Sequence, residues 1–177
     1  IAQGAPCTLF FAADPRWVDW LEQRSSITKK RVMQEWRNHL VVLLRPGLER
    51  TVTNVKDLAN LSRVAIAHPD VPLGSATREA LEGIPLDSVQ HVHARSAAHV
   101  VQLVETGVVD AAIAFSSEIP FLQTARLGFE LEPHTYTPIQ YVGVALTPKT
   151  RDILGKLRPG SLISLSRAPV GRDSWMP

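Results

Sequence analysis

The chain has 177 residues, of which 45% are hydrophobic and 20% charged, and its formal net charge is +2. This balance excludes a disordered chain, and so small a charge argues against a nucleic-acid partner. Cys7 is the single cysteine, so an internal disulfide is excluded. No apolar run is long enough to span a bilayer, and the first residues of the sequence do not show the pattern typical of a signal peptide. Because the first residue is Ile1, we expect a processed form or a fragment.

The first third of the chain is predicted to alternate strands and helices. Apolar residues at helical spacing, Trp17, Val18 and Leu21, predict a helix whose apolar face lies in the core. The run 40–44 is wholly apolar and predicts a buried strand. In chain order the predictions are a strand over 8–13, a helix opened by Asp14 and Pro15, a polar helix over 27–36, the strand 40–44 and a short helix over 55–61 capped by Asn54.

The middle of the chain predicts a strand–helix–strand–helix–strand unit, which is typical of a parallel sheet with helices on both sides. The strands are expected over 64–67, 90–94 and 108–115. Prolines and a glycine over 69–74 end the first strand, and a helix follows up to residue 81. Ser96 is predicted to cap a second helix over 97–106, which Gly107 ends.

The last third of the chain is less regular. Residues 116–138 are predicted to be rich in loops. A strand is expected over 141–146, and Thr147 with Pro148 opens a short helix that reaches residue 157. The tail over 161–177 shows no pattern that places it in a core.

Two strand-to-helix loops, 71–75 and 95–98, are the best candidates for a binding site. The N-terminus of a helix offers unpaired backbone N–H groups and the positive end of the helix dipole, both of which suit an anion. Open α/β sheets place their ligands at this edge, beyond the carboxyl ends of the strands. A tetrahedral dianion can be held there by neutral donors without a lysine or arginine.

Metal and catalytic chemistry find less support. His91 and His93 are two apart on a predicted strand and share a face, but no third ligand is recognisable, so solvated or core histidines are the favoured interpretation. An acid–base set could be built from Asp14, Asp110 and His99, but nothing in their spacing along the chain requires one. We therefore predict no enzyme, no metal site and no cofactor.

Several segments, in order, resemble the substrate-binding proteins of molybdate ABC transporters. Each segment is short, and their order and spacing carry the resemblance over residues 1–146. The segments are 4–6 (GAP), 9–14 (LFFAAD) with Trp17, 38–44, 69–81, 103–107 (LVETG) and 110–115 (DAAIAF).

The resemblance implies an α/β fold of the type II periplasmic-binding-protein kind, with two lobes whose parallel-rich sheets are flanked by helices. Residues 1–45 and 138–177 would form the first lobe, and 46–137 the second. The crossover strands of the hinge would lie near 41–44 and 141–146. In the family, two serine-bearing loops of the first lobe precede a segment like residues 4–6, so the first lobe is expected to be incomplete here and this piece alone to bind weakly.

The resemblance also implies the site. The family's second-lobe contacts to the anion fall on the backbone N–H groups of Leu73 and Ala97 and on a tyrosine whose position is occupied by Phe115. Phe115 has no hydroxyl to donate, and Ser116 or Ser117 is a candidate substitute. We expect three further residues to support the site: Gly74, Ser96 and Ser116.

The function implied is binding of molybdate or tungstate between the lobes and delivery to a membrane permease. The protein would be periplasmic or extracellular and would not itself span the membrane. Whether the full-length form carries a membrane anchor stays open. Three alternatives stay open: the effector-sensing domain of a transcription regulator with this fold, an enzyme of the same fold, and an inactive truncated homologue that pairs through an exposed sheet edge.

Overall fold

A computed structural model describes residues 7–12, 16–24 and 32–157 of the chain. By its internal contacts the chain divides into two units, one formed by residues 1–36 with 140–177 and the other by residues 37–139. The chain crosses between the units within two strands, Val32–Asn38 and Ile139–Ala145. The predicted lobe boundaries, 45/46 and 137/138, remain a prediction about the family fold.

The helices and strands of the described residues alternate along the chain. In order they are β1 (Leu9–Ala12), α1 (Arg16–Arg24), β2 (Val32–Asn38), β3 (Leu40–Leu44), β4 (Arg63–Ala67), α2 (Pro72–Ala80), β5 (Gln90–Ala94), α3 (Ala97–Glu105), β6 (Ala111–Phe115), β7 (Arg126–Glu130), β8 (Ile139–Ala145) and α4 (Pro148–Lys156). Three 3-10 helices, Val55–Asn60, Ser116–Phe121 and Pro133–Thr135, lie between them.

The first unit is built on a three-stranded sheet in the order β1-β8-β2. Strands β1 and β8 are antiparallel, with Leu9 opposite Ala145. Gly143 in β8 makes room for its neighbours, because a Cβ atom there would lie 2.6 Å from the Leu154 side chain and 2.9 Å from the rings of Phe11 and Trp36. Helix α4 therefore packs against this part of the sheet, and Thr147 caps it as predicted.

The second unit holds a five-stranded sheet in the order β5-β4-β6-β3-β7. Strands β5, β4 and β6 are parallel, as the alternating middle of the sequence predicts. Strands β3 and β7 extend the sheet by antiparallel pairing. Every residue of β3 and β6 is buried, which is why both strands are continuous apolar runs. The fold is mixed α/β, in agreement with the predicted class.

Four local predictions are wrong. Residues 32–36 are in strand β2 and not in a helix, and the exposure of Glu35 and Arg37 on either side of buried Trp36 shows the two-residue period of a strand. Trp17 is 58% exposed, whereas Val18 and Leu21 are buried. Strand β6 begins at Ala111, not at residue 108, and β7 lies in the stretch predicted to be loops. The predictions for 13–15, 27–31 and the tail beyond 157 fall outside the described residues.

One carboxylate, that of Asp110, fixes the loops at the far ends of these strands. Asp110 accepts hydrogen bonds from Nε of Arg45 at 3.0 Å and from the backbone amides of Ser62 and Arg63 at 3.0 and 3.1 Å. Burial raises the pKa of Asp110, but these hydrogen bonds outweigh burial and lower it below its ordinary value. Asp110 is therefore a structural carboxylate that ties β3 and β4 to the start of β6.

Candidate functional site

The carboxyl ends of three neighbouring strands lie along one edge of the second unit's sheet. This edge is formed by the ends of strands and not by an outer strand. Strands β5, β4 and β6 run parallel and end at Ala94, Ala67 and Phe115. Because helices α2 and α3 follow β4 and β5 directly, their N-termini lie at this same edge. The topology therefore places Leu73, Ala97 and Phe115 at the same edge of the sheet, the edge at which open α/β sheets bind their ligands.

The first turn of α2 leaves one amide without a partner. Val71 precedes the helix and Pro72, which has no N–H, is its first residue. The amides of Gly74 and Ser75 both donate to the Val71 carbonyl, at 2.9 and 3.1 Å. Leu73 is only 2% exposed, yet no residue in the described parts of the chain accepts its N–H. A buried amide without an acceptor is rare in folded proteins, so this donor is suited to an incoming ligand.

Gly74 allows α2 to start where it does. A Cβ atom at this position would lie 1.9 Å from the carbonyl oxygen of His68 and 2.7 Å from that of Ala67. Both atoms belong to the backbone at the end of β4, and they cannot move aside as a flexible side chain would. Gly74, predicted as a supporting residue, therefore lets the helix approach the strand end.

The first turn of α3 is capped by Ser96, as predicted. The Ser96 hydroxyl oxygen accepts the His99 amide at 3.2 Å, and its carbonyl accepts the Val100 amide at 3.1 Å. The Arg95 amide donates to Nδ1 of His99 at 3.3 Å. Among the described residues no acceptor serves the Ala97 amide, the first donor of the helix. The Ser96 side chain is thus hydrogen-bonded in the helix cap, whereas the Ala97 N–H remains available as a donor.

Phe115 ends β6, and the serines after it are joined to Asn38. Asn38 is buried at the end of β2, and its Oδ1 accepts the Ser116 hydroxyl at 2.8 Å and the Ser117 amide at 3.3 Å. Its Nδ2 donates to the Ser117 hydroxyl oxygen at 3.0 Å. The hydroxyl of Ser116, predicted as a supporting donor, is thus hydrogen-bonded within the protein.

Two histidines near this edge lie close to each other and to one carboxylate. The rings of His68 and His93 approach edge to face with centroids 6.4 Å apart, and Nδ1 of His68 lies 3.2 Å from a carboxylate oxygen of Asp70. All three side chains are exposed. No group of three or more His, Cys, Asp or Glu in the described parts of the chain could hold a metal ion.

A family model described as bacterial extracellular solute-binding protein matches residues 1–154. The chain belongs to this family.

Three relatives are similar to this solute-binding protein. YvgL of Bacillus subtilis, named as a substrate-binding lipoprotein of an ABC transporter, is 29% identical over 156 residues; the match covers 85% of this chain and 60% of YvgL. A Clostridium difficile structure described as the substrate binding domain of a molybdenum ABC transporter has a TM-score of 0.75 at 21% identity, over 92% of this chain and 76% of that one. The periplasmic molybdate-binding protein of Azotobacter vinelandii has a TM-score of 0.61 at 23% identity, over 86% of this chain and 71% of that one.

At these identities the two structures show that the solute-binding protein shares their fold. The chain spans 60% of the length of YvgL, so activities of the whole relative do not transfer to it directly. No helix within the described ranges is both long and apolar enough to cross a membrane.

Two residues that shape this edge of the solute-binding protein were not predicted. The predictions gave no site role to Asn38, whose amide joins three neighbouring residues there. They also missed Tyr136, whose hydroxyl accepts the Leu40 amide at 3.0 Å. An asparagine two residues before an apolar strand is the one local signal that marked Asn38.

Proposed function

We propose that this protein binds a small tetrahedral oxyanion, molybdate or tungstate, as the extracellular or periplasmic substrate-binding component of an ABC transporter. One observation carries the proposal: the amides of Leu73 and Ala97, each at the start of a helix, have no acceptor among the described residues and stand at one sheet edge. Membership of the solute-binding family supports the transport role, and the names of the molybdenum and molybdate relatives support the choice of anion.

The chemistry of the edge agrees with such a ligand. Two helix N-termini add partial positive charge to their unpaired N–H groups, and these fixed donors select an anion by size and shape. The oxyanion is cargo, and the proposal needs no cofactor, no metal site and no enzymatic step. A membrane permease is the partner that the transport role requires.

The experiment is a titration of the complete gene product that carries this chain with sodium molybdate, tungstate, sulfate and phosphate. We expect molybdate and tungstate to give saturable heats in calorimetry and to raise the unfolding temperature, because a ligand that binds only the folded state stabilises it. Sulfate and phosphate are expected to have much smaller effects. Heats at the level of dilution for all four anions would contradict the proposal.

A further inference from the structure

Ser117 has a hydroxyl whose proton is not used within the described residues. Nδ2 of Asn38 donates to Oγ of Ser117 at 3.0 Å. Because an amide nitrogen of this kind only donates, the serine oxygen is the acceptor, and its own O–H is free to donate to another group. Ser117 is half-buried, so it is not enclosed in the core.

The orientation of the Asn38 amide is fixed by its other partners. The backbone amides of His39 and Ser117 both approach Oδ1, at 3.0 and 3.3 Å. A backbone N–H can only donate, so the atom that both of them face is the oxygen and the remaining atom is the NH2 group. Asn38 therefore holds the Ser117 oxygen in one position with its proton directed away.

The neighbouring serine is different. Ser116 donates its proton to Oδ1 of Asn38 at 2.8 Å, and its oxygen lies 3.3 Å from the donating amide of His39. Both functions of the Ser116 hydroxyl are thus used inside the protein. Of the two serines that follow Phe115, Ser117 alone keeps a hydroxyl proton without an acceptor in the described parts of the chain.

We propose that Ser117 donates a hydrogen bond to the bound oxyanion and that Asn38 is the residue that positions it. The inference rests on the proposed function. Ser117 follows Phe115 by two residues at the edge that carries the Leu73 and Ala97 amides. Its hydroxyl supplies a donor on the β6 side of the site, where the Phe115 ring has none.

The test compares molybdate affinities by titration calorimetry for the complete gene product and its variants. Ser117→Ala is expected to weaken binding about 10- to 100-fold, the range for a lost hydrogen bond to a charged ligand. Ser117→Thr keeps the hydroxyl and is expected to stay within about threefold of the unchanged protein. Ser88→Ala is the matched control, because it also removes a serine hydroxyl. Ser88 is exposed, and its hydroxyl donates to the Ala59 carbonyl. It lies just before the amino end of β5, away from the carboxyl ends of the strands.

The role of Asn38 is tested by a double-mutant cycle. Asn38→Asp replaces the Nδ2 donor with an oxygen that would accept the Ser117 proton, so it is expected to weaken binding in the presence of Ser117. In the Ser117→Ala background the same change leaves only the repulsion between the new carboxylate and the anion, so its effect on affinity is expected to be smaller than in the presence of Ser117; a general loss of structure would give equal effects in both backgrounds. If Asn38→Asp does not fold, the Ser117 variants alone decide.

The outcomes separate the two proposals. If the unchanged protein binds molybdate or tungstate and Ser117→Ala binds equally well, the role of Ser117 is overturned while the proposed function stands. If the unchanged protein binds none of the oxyanions, the proposed function and the role of Ser117 both fall.

Discussion

The backbone amide of Leu40 donates a 3.0 Å hydrogen bond to the hydroxyl of Tyr136, 96 positions later in the chain. Both residues are buried. The Leu131 amide donates to the Leu40 carbonyl at 2.9 Å, and beyond this point β7 no longer accompanies β3. The tyrosine hydroxyl thus takes the place of the backbone acceptor that a longer β7 would provide, at the end of β3 that lies beside Phe115.

Tyr136→Phe is expected to destabilise the protein by about 1–3 kcal/mol, because it leaves the buried Leu40 N–H without an acceptor. Urea unfolding followed by circular dichroism measures the change in the free energy of unfolding. Ser88→Ala, which removes an exposed hydroxyl, is the control and is expected to change stability by about 0.5 kcal/mol or less. Equal effects for the two variants would show that the Leu40 bond contributes no more than a surface contact.

Gly74→Ala is expected to destabilise by about 3 kcal/mol, the upper end for overpacking, because the added methyl would meet the backbone carbonyl of His68. Helix α2 would have to move away from the end of β4. Thermal unfolding measures this loss as a lower transition temperature.

Gly155→Ala is the control for the same chemical change. Gly155 is an exposed residue of α4, and nothing lies within 4 Å of a Cβ placed there. Alanine favours the helix over glycine by up to about 1 kcal/mol, so the transition temperature is expected to rise. A Gly74→Ala protein as stable as the unchanged one would mean that the α2 start is not fixed by this close approach.

Asp110 is expected to make stability depend on pH. The hydrogen bonds to its carboxylate lower its pKa in the folded state below the ordinary value of 3.8, which applies to the unfolded chain. The stabilisation is therefore fully present above that ordinary value and is lost as the pH falls through the lowered one. The difference in unfolding temperature between the unchanged protein and Asp110→Asn is expected to be largest at neutral pH and to narrow as the pH falls below 3.8.

The matched control is Asp87→Asn, which removes the same charge from an exposed position. Its unfolding temperature is expected to follow that of the unchanged protein at every pH. If the difference in unfolding temperature between Asp110→Asn and the unchanged protein stayed constant down to the lowest pH, the contribution of the ionised carboxylate would be refuted.

The sequence was sufficient to predict those strands and helices whose own residues show the pattern of a buried strand or of a helix cap. The apolar runs of β3 and β6 predict strands buried on both faces, and the caps Asn54, Ser96 and Thr147 each accept an amide of the helix they open. Strand β7 was missed because Gly128 interrupts its pattern. In the structure Gly128 packs against Leu44, with a Cβ position 2.9 Å from Leu44 Cγ, so the glycine serves close packing and not a turn.

The candidate site was predictable only in part. Its two helix starts are visible in the sequence because proline, glycine and serine mark where strands end and helices begin. The contacts of Asn38 with Ser117 and of Leu40 with Tyr136 join residues 79 and 96 positions apart. No local pattern encodes such pairs, because they depend on which strands become neighbours in the sheet.

Ala97→Pro tests the proposed donor in α3 with little change to the helix. Proline is favoured at the first helical position because the N–H it lacks has no partner within the helix. Ser96 has φ −159° and ψ 165°, an extended conformation that a following proline accepts. Helix α3 should therefore form, while molybdate affinity measured by calorimetry is expected to fall about tenfold or more, since one hydrogen bond to a charged ligand is removed.

Ala97→Gly is the matched control because it shortens the side chain and retains the N–H. It is expected to bind molybdate within about threefold of the unchanged protein, although glycine lowers stability slightly. Circular dichroism and the unfolding temperature of the ligand-free variants establish that both fold. If Ala97→Pro folds and binds molybdate as tightly as Ala97→Gly, the Ala97 amide is not a ligand donor, and the anion must be held by other groups at this sheet edge.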